Sequence, residues 1–332
     1  MDLNNHIIQT KFLAGQGLGN QLWVYAAGRA IAEKLGRRHV VLNVNEFKGS
    51  GFLDVDCGLD LDPGIPIDQF HEELYYDPSL KYFSSSYDKR IESPTLRVQI
   101  NGLFQSERYL YDRIQHLRSW IRPAKFIQEM AINYRDTCVL NLRGGEYKRH
   151  SSFILPRNYW DMAVETLRKK FGDVKIIIVT DDPAYARVFL PEFPVLEGGI
   201  AECYAALMGA KALAVSNSSF SYFPIKTRDD QPFVIAPEHW ARYGHPDRRW
   251  AMPANVYKGW TYLGISGALV SYSECKQAAE RDASYYESTF NVRIPPNIVN
   301  RITGQSPARF IPVAIKRRLI KLASYLSPRR FG

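Results

Sequence analysis

Apolar residues fall along this chain in short runs separated by glycine and polar turns, the pattern of buried strands alternating with helices. Ile7 to Leu13 predicts a first strand, leading into Gly15-Gln16-Gly17-Leu18-Gly19-Asn20-Gln21. An alanine-rich helix follows from about Leu22 to Leu35, with Gly36 as its stop, and Val40 to Val44 is the next strand. The chain therefore opens as a βαβ unit. Residues 46–95 hold several prolines and the run Ser84-Ser85-Ser86 and read as irregular. Val98 to Leu103 predicts a strand, and Phe104-Gln105-Ser106-Glu107-Arg108-Tyr109-Leu110 leads into a helix running to about Arg122, with Ser106 as N-cap. Pro123 marks a domain boundary.

The second half repeats the rhythm. Thr137 to Leu142 predicts a strand, and Asn158 to Phe171 an amphipathic helix with Tyr159, Met162, Ala163, Thr166 and Leu167 on one face. Val174 to Val179 is an almost unbroken apolar run, as in a central parallel strand. Short helices over Ala184 to Phe189 and Glu202 to Met208 come next, then strands over Ala212 to Val215 and Phe233 to Ala236. The reading is α/β, with residues 1–125 and 126–262 as two Rossmann-like domains and 263–332 as a C-terminal extension. Within that extension Pro312 to Leu326 is an amphipathic helix, with Ile315, Leu319, Leu322 and Leu326 on one stripe and Lys316, Arg317, Arg318 and Lys321 elsewhere. Such a helix either lies on an anionic membrane surface, through residues 312–326, or docks on its own protein.

Composition narrows the class. The 332 residues are 45% hydrophobic and 23% charged, the proportions of a globular protein. The net charge of +9 favours an anionic partner, but much of it sits in the last segment, so a nucleic-acid footprint is not needed to explain it. Cys57, Cys138, Cys203 and Cys275 are far apart, with neither metal-ligand nor redox spacing. The start MDLNNHIIQTKF has no apolar core of signal-peptide length, and no apolar run approaches the ~20 residues of a spanning helix. The expectation is a cytoplasmic protein, peripheral at the inner face of the membrane if the basic helix binds lipid.

Candidate chemistry gathers at strand ends, where ligands bind in open α/β sheets. The first strand-to-helix turn is not a dinucleotide fingerprint: Asn20 stands where a third glycine would, and Asn43-Val44-Asn45 offers no carboxylate to a ribose. Asp54, Asp56, Asp60 and Asp62 lack the spacing of a calcium loop. In the second half three strand ends converge: Arg143 with Glu146, Asp181 with Asp182, and Ser218 with Ser219. Arg143, followed by Gly144 and Gly145, is either a clamp for a phosphate oxygen or a solvated turn. Ser218 and Ser219 either cradle a phosphate or cap the next helix, and Asp181-Asp182-Pro183 also reads as a cap.

At this point the motifs resemble a known family. The chain is similar, over about residues 11–262, to the family 11 glycosyltransferases, bacterial α-1,2-fucosyltransferases within the wider fucosyltransferase superfamily. The family's GGLGNQ-F-YA reads here as Gly15 to Ala26, its FQSEKYF as Phe104 to Leu110, its FSDD as Val179 to Asp182, its NSSFSWW as Asn217 to Phe223, and its V-AP--W as Val234 to Trp240. The HVRRGDY segment departs: it reads Asn141-Leu142-Arg143-Gly144-Gly145-Glu146-Tyr147, keeping the first arginine and replacing the second with Gly144 and the histidine with Asn141.

The resemblance implies a GT-B type fold, two Rossmann-like domains facing a cleft, and an inverting, metal-independent transfer of fucose from GDP-fucose to a glycan hydroxyl in polysaccharide or oligosaccharide synthesis. It implies that Arg143 holds the β-phosphate, and that Gly17, Asn20, Asn141, Asp182, Glu202, Asn217, Ser218 and Ser219 also line the donor site. Glu202 would read the guanine edge, unless it is only a residue of a helix's first turn. Glu146 and His150 are candidate general bases by position. Two other readings keep the fold: a different nucleotide-sugar donor, or an inactive protein that binds nucleotide sugars or glycans.

Overall fold

The structure, a computed structural model, describes residues 6–58, 67–77, 79–80 and 82–290. The basic helix expected over 312–326 lies outside the described residues. No helix among them is long and apolar enough to cross a membrane.

Two parallel sheets organise the chain, as the alternating pattern predicts. β1 (Ile7–Lys11) feeds α1 (Leu18–Leu35), which returns the chain to β2 (Arg38–Leu42), parallel to β1. β3 (Leu53–Val55), β4 (Asp68–His71) and the hairpin of β5 (Tyr75–Asp77) with β6 (Tyr82–Ser84) fill the stretch expected to be irregular. β7 (Arg97–Asn101) inserts between β1 and β4, completing a first sheet in the order β2-β1-β7-β4. The long helix expected up to Arg122 is not formed. Tyr111 and Asp112 adopt positive φ, so the segment breaks into 3-10 turns, then α2 (Leu117–Trp120) and β8 (Ile121–Pro123), which pairs with β3.

α3 (Lys125–Ile132) leads to the second sheet. Its strands are β9 (Thr137–Leu142), β10 (Lys175–Thr180), β11 (Ala212–Val215), β12 (Phe233–Pro237), β13 (Thr261–Leu263) and β14 (Leu269–Val270). Their order is β10-β9-β11-β12-β13-β14, parallel except for the last pair. The crossovers are α4 (Arg157–Phe171), α5 (Pro183–Phe189), α6 (Ile200–Gly209) and α7 (Tyr222–Lys226), and α8 (Tyr272–Thr289) follows β14. A division after residue 262 falls inside β13, and β14 belongs to the same sheet.

Alternation sorts the strand residues. Cys138, Leu140 and Leu142 pack with Tyr159, Trp160, Ala163 and Leu167 of α4. Val139, Ile177, Val179, Leu213 and Val215 join a second cluster that reaches across to Trp23 of α1. That helix is buried on nearly every face from Leu18 to Ala32, which explains its many alanines: it packs on its own sheet and on the other half at once. The Trp23 and Tyr222 rings meet with centroids 4.3 Å apart, and Tyr222 lies 4.6 Å from Tyr257.

Polar clasps reinforce this join. Glu107, nearly buried, accepts from Tyr222 Oη (2.9 Å) and pairs with the buried Lys226 Nζ at 3.1 Å, and at the surface it accepts the Lys258 N–H (2.8 Å). Arg242 pairs with Asp77, which also accepts from Tyr286 Oη of α8 at 3.1 Å. Breaking a buried pair of this kind typically costs about 3–5 kcal/mol, because the surviving charge stays in low dielectric.

Candidate nucleotide-sugar site

The register of the second sheet builds the core of the site. β9 and β10 align Leu142 with Thr180, so the next residues, Arg143 and Asp181, stand opposite one another just past the carboxyl edge. Arg143 Nη1 lies 3.0 Å from Asp181 Oδ2, and Asp181 Oδ1 accepts the Gly144 N–H at 2.9 Å. The guanidinium also lies 5.0 Å from the centre of the Tyr147 ring. Its remaining contact is loose, since Nη2 is 3.9 Å from Glu146 Oε1. Arg143 Nε is buried without a partner among the described residues, and the side chain as a whole keeps 23% of its surface exposed.

Asp182 has a different task. Its Oδ1 caps α5 by accepting the Tyr185 N–H at 3.0 Å, and its other oxygen pairs with Lys148. The Lys148 ammonium, and then the Tyr185 N–H, hold this carboxyl below the usual range. Gly144 is fixed by the same group: a Cβ there would come within 2.7 Å of the Tyr185 ring and 2.9 Å of Asp182 Cβ. A side chain at position 144 would have to displace the Tyr185 ring and the Asp182 side chain.

Asn141 is 2% exposed, beneath the Arg143 loop, with Nδ2 3.5 Å from the Val179 carbonyl and Oδ1 unpartnered. Both amide atoms of Asn217 are committed to backbone. Nδ2 donates to the Phe153 carbonyl (3.1 Å) and Oδ1 accepts the Ala241 N–H (3.0 Å), while the Asn217 carbonyl accepts from Tyr147 Oη at 2.7 Å. Asn217 thus holds the loop that carries Arg143. Ser218 Oγ caps its own 3-10 turn through the Phe220 N–H. Glu202 Oε2 accepts the Gly199 N–H at 2.8 Å and closes the first turn of α6. Glu146 is 41% exposed beside Arg143, whereas His150 lies at the far end of the loop with its ring 5.6 Å from Phe153.

The first sheet meets this edge through its own opening turn. Ser219 Oγ donates to Asn20 Oδ1 at 2.6 Å, and Gln105 Nε2 donates to the same atom at 2.8 Å. Gln105 Oε1 in turn accepts from Asn255 Nδ2 at 3.0 Å. The approach requires Gly19, where a Cβ would stand 2.5 Å from the Ser219 carbonyl carbon. Gly17 stands at the N-terminus of α1 with open space around it. The structure therefore gathers Arg143, Glu146, Ser218, Ser219, Asn20 and Gly17 along facing edges. It places Asp182, Asn217 and Glu202 in positioning roles.

Comparison with known proteins finds no family model and no curated protein that matches the chain. Among solved structures it is similar to NodZ α-1,6-fucosyltransferase soaked with GDP-fucose, with 12% identity and a TM-score of 0.44 over 73% of this chain and 97% of that one. It is similar to fucosyltransferase NodZ from Bradyrhizobium at 11% identity and a TM-score of 0.43, over 66% and 92% of the two chains. It is also similar to POFUT1 in complex with GDP-fucose, at 12% and 0.40, over 70% and 98%. Likenesses this remote leave the chemistry of the site to be argued from the chain's own residues.

Two of those residues take roles that the sequence expectation did not assign. Asp181, not Asp182, anchors the arginine, and Tyr147 bridges its loop to Asn217. The signal for Asp181 lay in the strand register: two apolar runs of matching length ending in Arg143 and Asp181 put opposite charges side by side once paired in parallel.

Proposed function

We propose that the chain is a glycosyltransferase that takes a sugar from a nucleoside-diphosphate donor and places it on a glycan hydroxyl. The motif resemblance makes the donor GDP-fucose, the linkage α-1,2 and the transfer inverting. One observation carries the reading: Arg143, at the carboxyl end of β9, is 23% exposed and has Nη2 held only loosely by Glu146, while Nη1 is fixed by Asp181. A planar fork held on one side and open on the other suits a phosphate oxygen.

In this mechanism the acceptor oxygen attacks the anomeric carbon as the bond to the diphosphate breaks, and negative charge grows on the leaving group. A prepositioned guanidinium stabilises that charge more in the transition state than in the ground state. Glu146 holds Nη2 only loosely, so an incoming phosphate oxygen displaces it at little cost. Of the two candidate bases, Glu146 stands beside Arg143 and His150 lies at the other end of the loop.

A thermal-shift panel of GDP, UDP, CMP and their sugar conjugates tests the donor. GDP and GDP-fucose are expected to stabilise the protein, and stabilisation by UDP or CMP alone would overturn the guanine assignment. A transfer assay with GDP-fucose and a glycan array, followed by linkage analysis of the product, tests the acceptor bond.

A further inference from the structure

The carboxyl edge of the first sheet holds a small recess that the donor reading does not use. It is lined by Lys11 at the end of β1, by Asn101 and Gly102 at the end of β7, by Gln16, and by the apolar side chains of Leu13, Val24 and Ile100; the Asn101 amide is engaged with Gln69, Gln99 and the Phe70 carbonyl. The recess holds about 10 Å³, room for one water-sized group. Two features of its lining are unsatisfied. The Lys11 ammonium has no hydrogen-bond or ion-pair partner among the described residues. Gln16 is 7% exposed, and its Oε1 is buried with no hydrogen-bond partner among the described residues. An orphaned buried acceptor of this kind normally has a partner in the working state of a protein.

The surroundings add positive potential. Gln16 stands two residues before α1, whose N-terminus carries no side-chain cap and no acidic residue in its first turn. Its unpaired N–H groups and macrodipole favour an anion. The acid packed behind Gly102, Glu72, does not compensate Lys11. Its Oε2 accepts the Leu103 and Phe104 N–H groups (2.7 and 2.9 Å), its Oε1 accepts from Tyr109 Oη (2.8 Å), and it is 1% exposed.

We infer that this recess is an acceptor subsite for an acidic sugar: a carboxylate accepts from Lys11 Nζ while an adjacent ring hydroxyl enters the recess and donates to Gln16 Oε1. A hydroxyl alone leaves the ammonium unneutralised, and a bare anion is repelled by the amide oxygen. A carboxylate beside a hydroxyl, as on a hexuronate, satisfies both. This assignment rests on the transferase reading above and names the class of glycan it would modify.

The test uses the full chain and three probes, methyl β-D-glucuronide, methyl β-D-glucoside and inorganic phosphate, in ligand-observed NMR titrations, with GDP titrated separately. The expected result is binding of the glucuronide in preference to the glucoside. Lys11→Met should weaken glucuronide binding about tenfold or more, the loss of one charge-assisted hydrogen bond. Gln16→Leu should weaken both sugars, and retained GDP binding in each variant would report an intact fold. Equal binding of the two sugars, an unaltered glucuronide affinity in Lys11→Met, or no binding of either sugar would overturn the inference. Phosphate binding more tightly than the glucuronide would assign the recess to a phosphate and overturn the sugar-acid reading. Loss of the donor reading would appear instead in the GDP titration, which Lys11 does not govern.

Discussion

Glu107 and Arg143 are both charged residues inside family-like motifs, and they end in opposite situations. Glu107 is buried across the join between the two sheets, and its oxygens are taken by Tyr222, Lys226 and the Lys258 N–H. Arg143 stands at a strand end with a firm partner in Asp181, the Tyr147 ring against its guanidinium, a loose contact to Glu146 and a buried Nε with no partner among the described residues. Membership in a motif therefore does not mark a residue as chemical. Uncommitted hydrogen-bonding capacity at a sheet's carboxyl edge is the better guide, because a fully committed group must break its native contacts before it can hold a ligand.

The sharpest way to break the comparison is to cut the clasp. Lys226→Met leaves the Glu107 carboxylate buried without its cation and should cost about 3–5 kcal/mol in a chemical-denaturation experiment. The protein that remains folded should bind GDP as before. A GDP affinity that falls in step with stability would merge the two regions into one.

Burial also titrates. Glu72 is sealed in the first half, and desolvation pushes its carboxyl up to about 7. A folded value above the unfolded one means that the native state holds the proton more tightly. The stabilisation is full below the unfolded value and is lost as pH rises towards and through 7. Glu72→Gln should flatten that decline, so its unfolding midpoint gains on the parent between pH 5 and pH 8, by up to about 2–3 kcal/mol at the alkaline end. Identical pH profiles would contradict a buried, protonated Glu72.

Smaller effects sharpen the open side. Asp181→Asn keeps an acceptor for the Gly144 N–H but removes the charge that orients Arg143. GDP affinity should drop several-fold with about 1 kcal/mol or less lost in stability, as for a partly exposed pair. Least of all, Lys148→Met removes a half-exposed partner of Asp182, and its unfolding free energy should change by under about 1 kcal/mol.

How much of this was legible in the sequence depended on the range of the forces involved. β9, β10 and β11 were read from apolar runs because both faces of those strands are buried. β4 was missed because Asp68 and Gln69 are exposed and the strand lies at a sheet edge. α1 begins at Leu18, four residues before the expected Leu22. The sequence around Gly19 resembles a loop, yet its glycine serves a close contact with Ser219, two hundred positions away. The edge carrying Arg143 could be located from local pattern alone. The task of each side chain could not, because Asp181, Asn217 and Glu107 take their roles from partners that only the fold supplies.

The central claim is that Arg143 is a ligand clamp and not part of the scaffold. Its most direct test is to measure GDP affinity by calorimetry and unfolding free energy by denaturation on the same preparation of Arg143→Ala. The account predicts at least about a tenfold loss of GDP affinity with stability within about 1 kcal/mol of the parent. Unchanged GDP binding in a folded Arg143→Ala protein would contradict it.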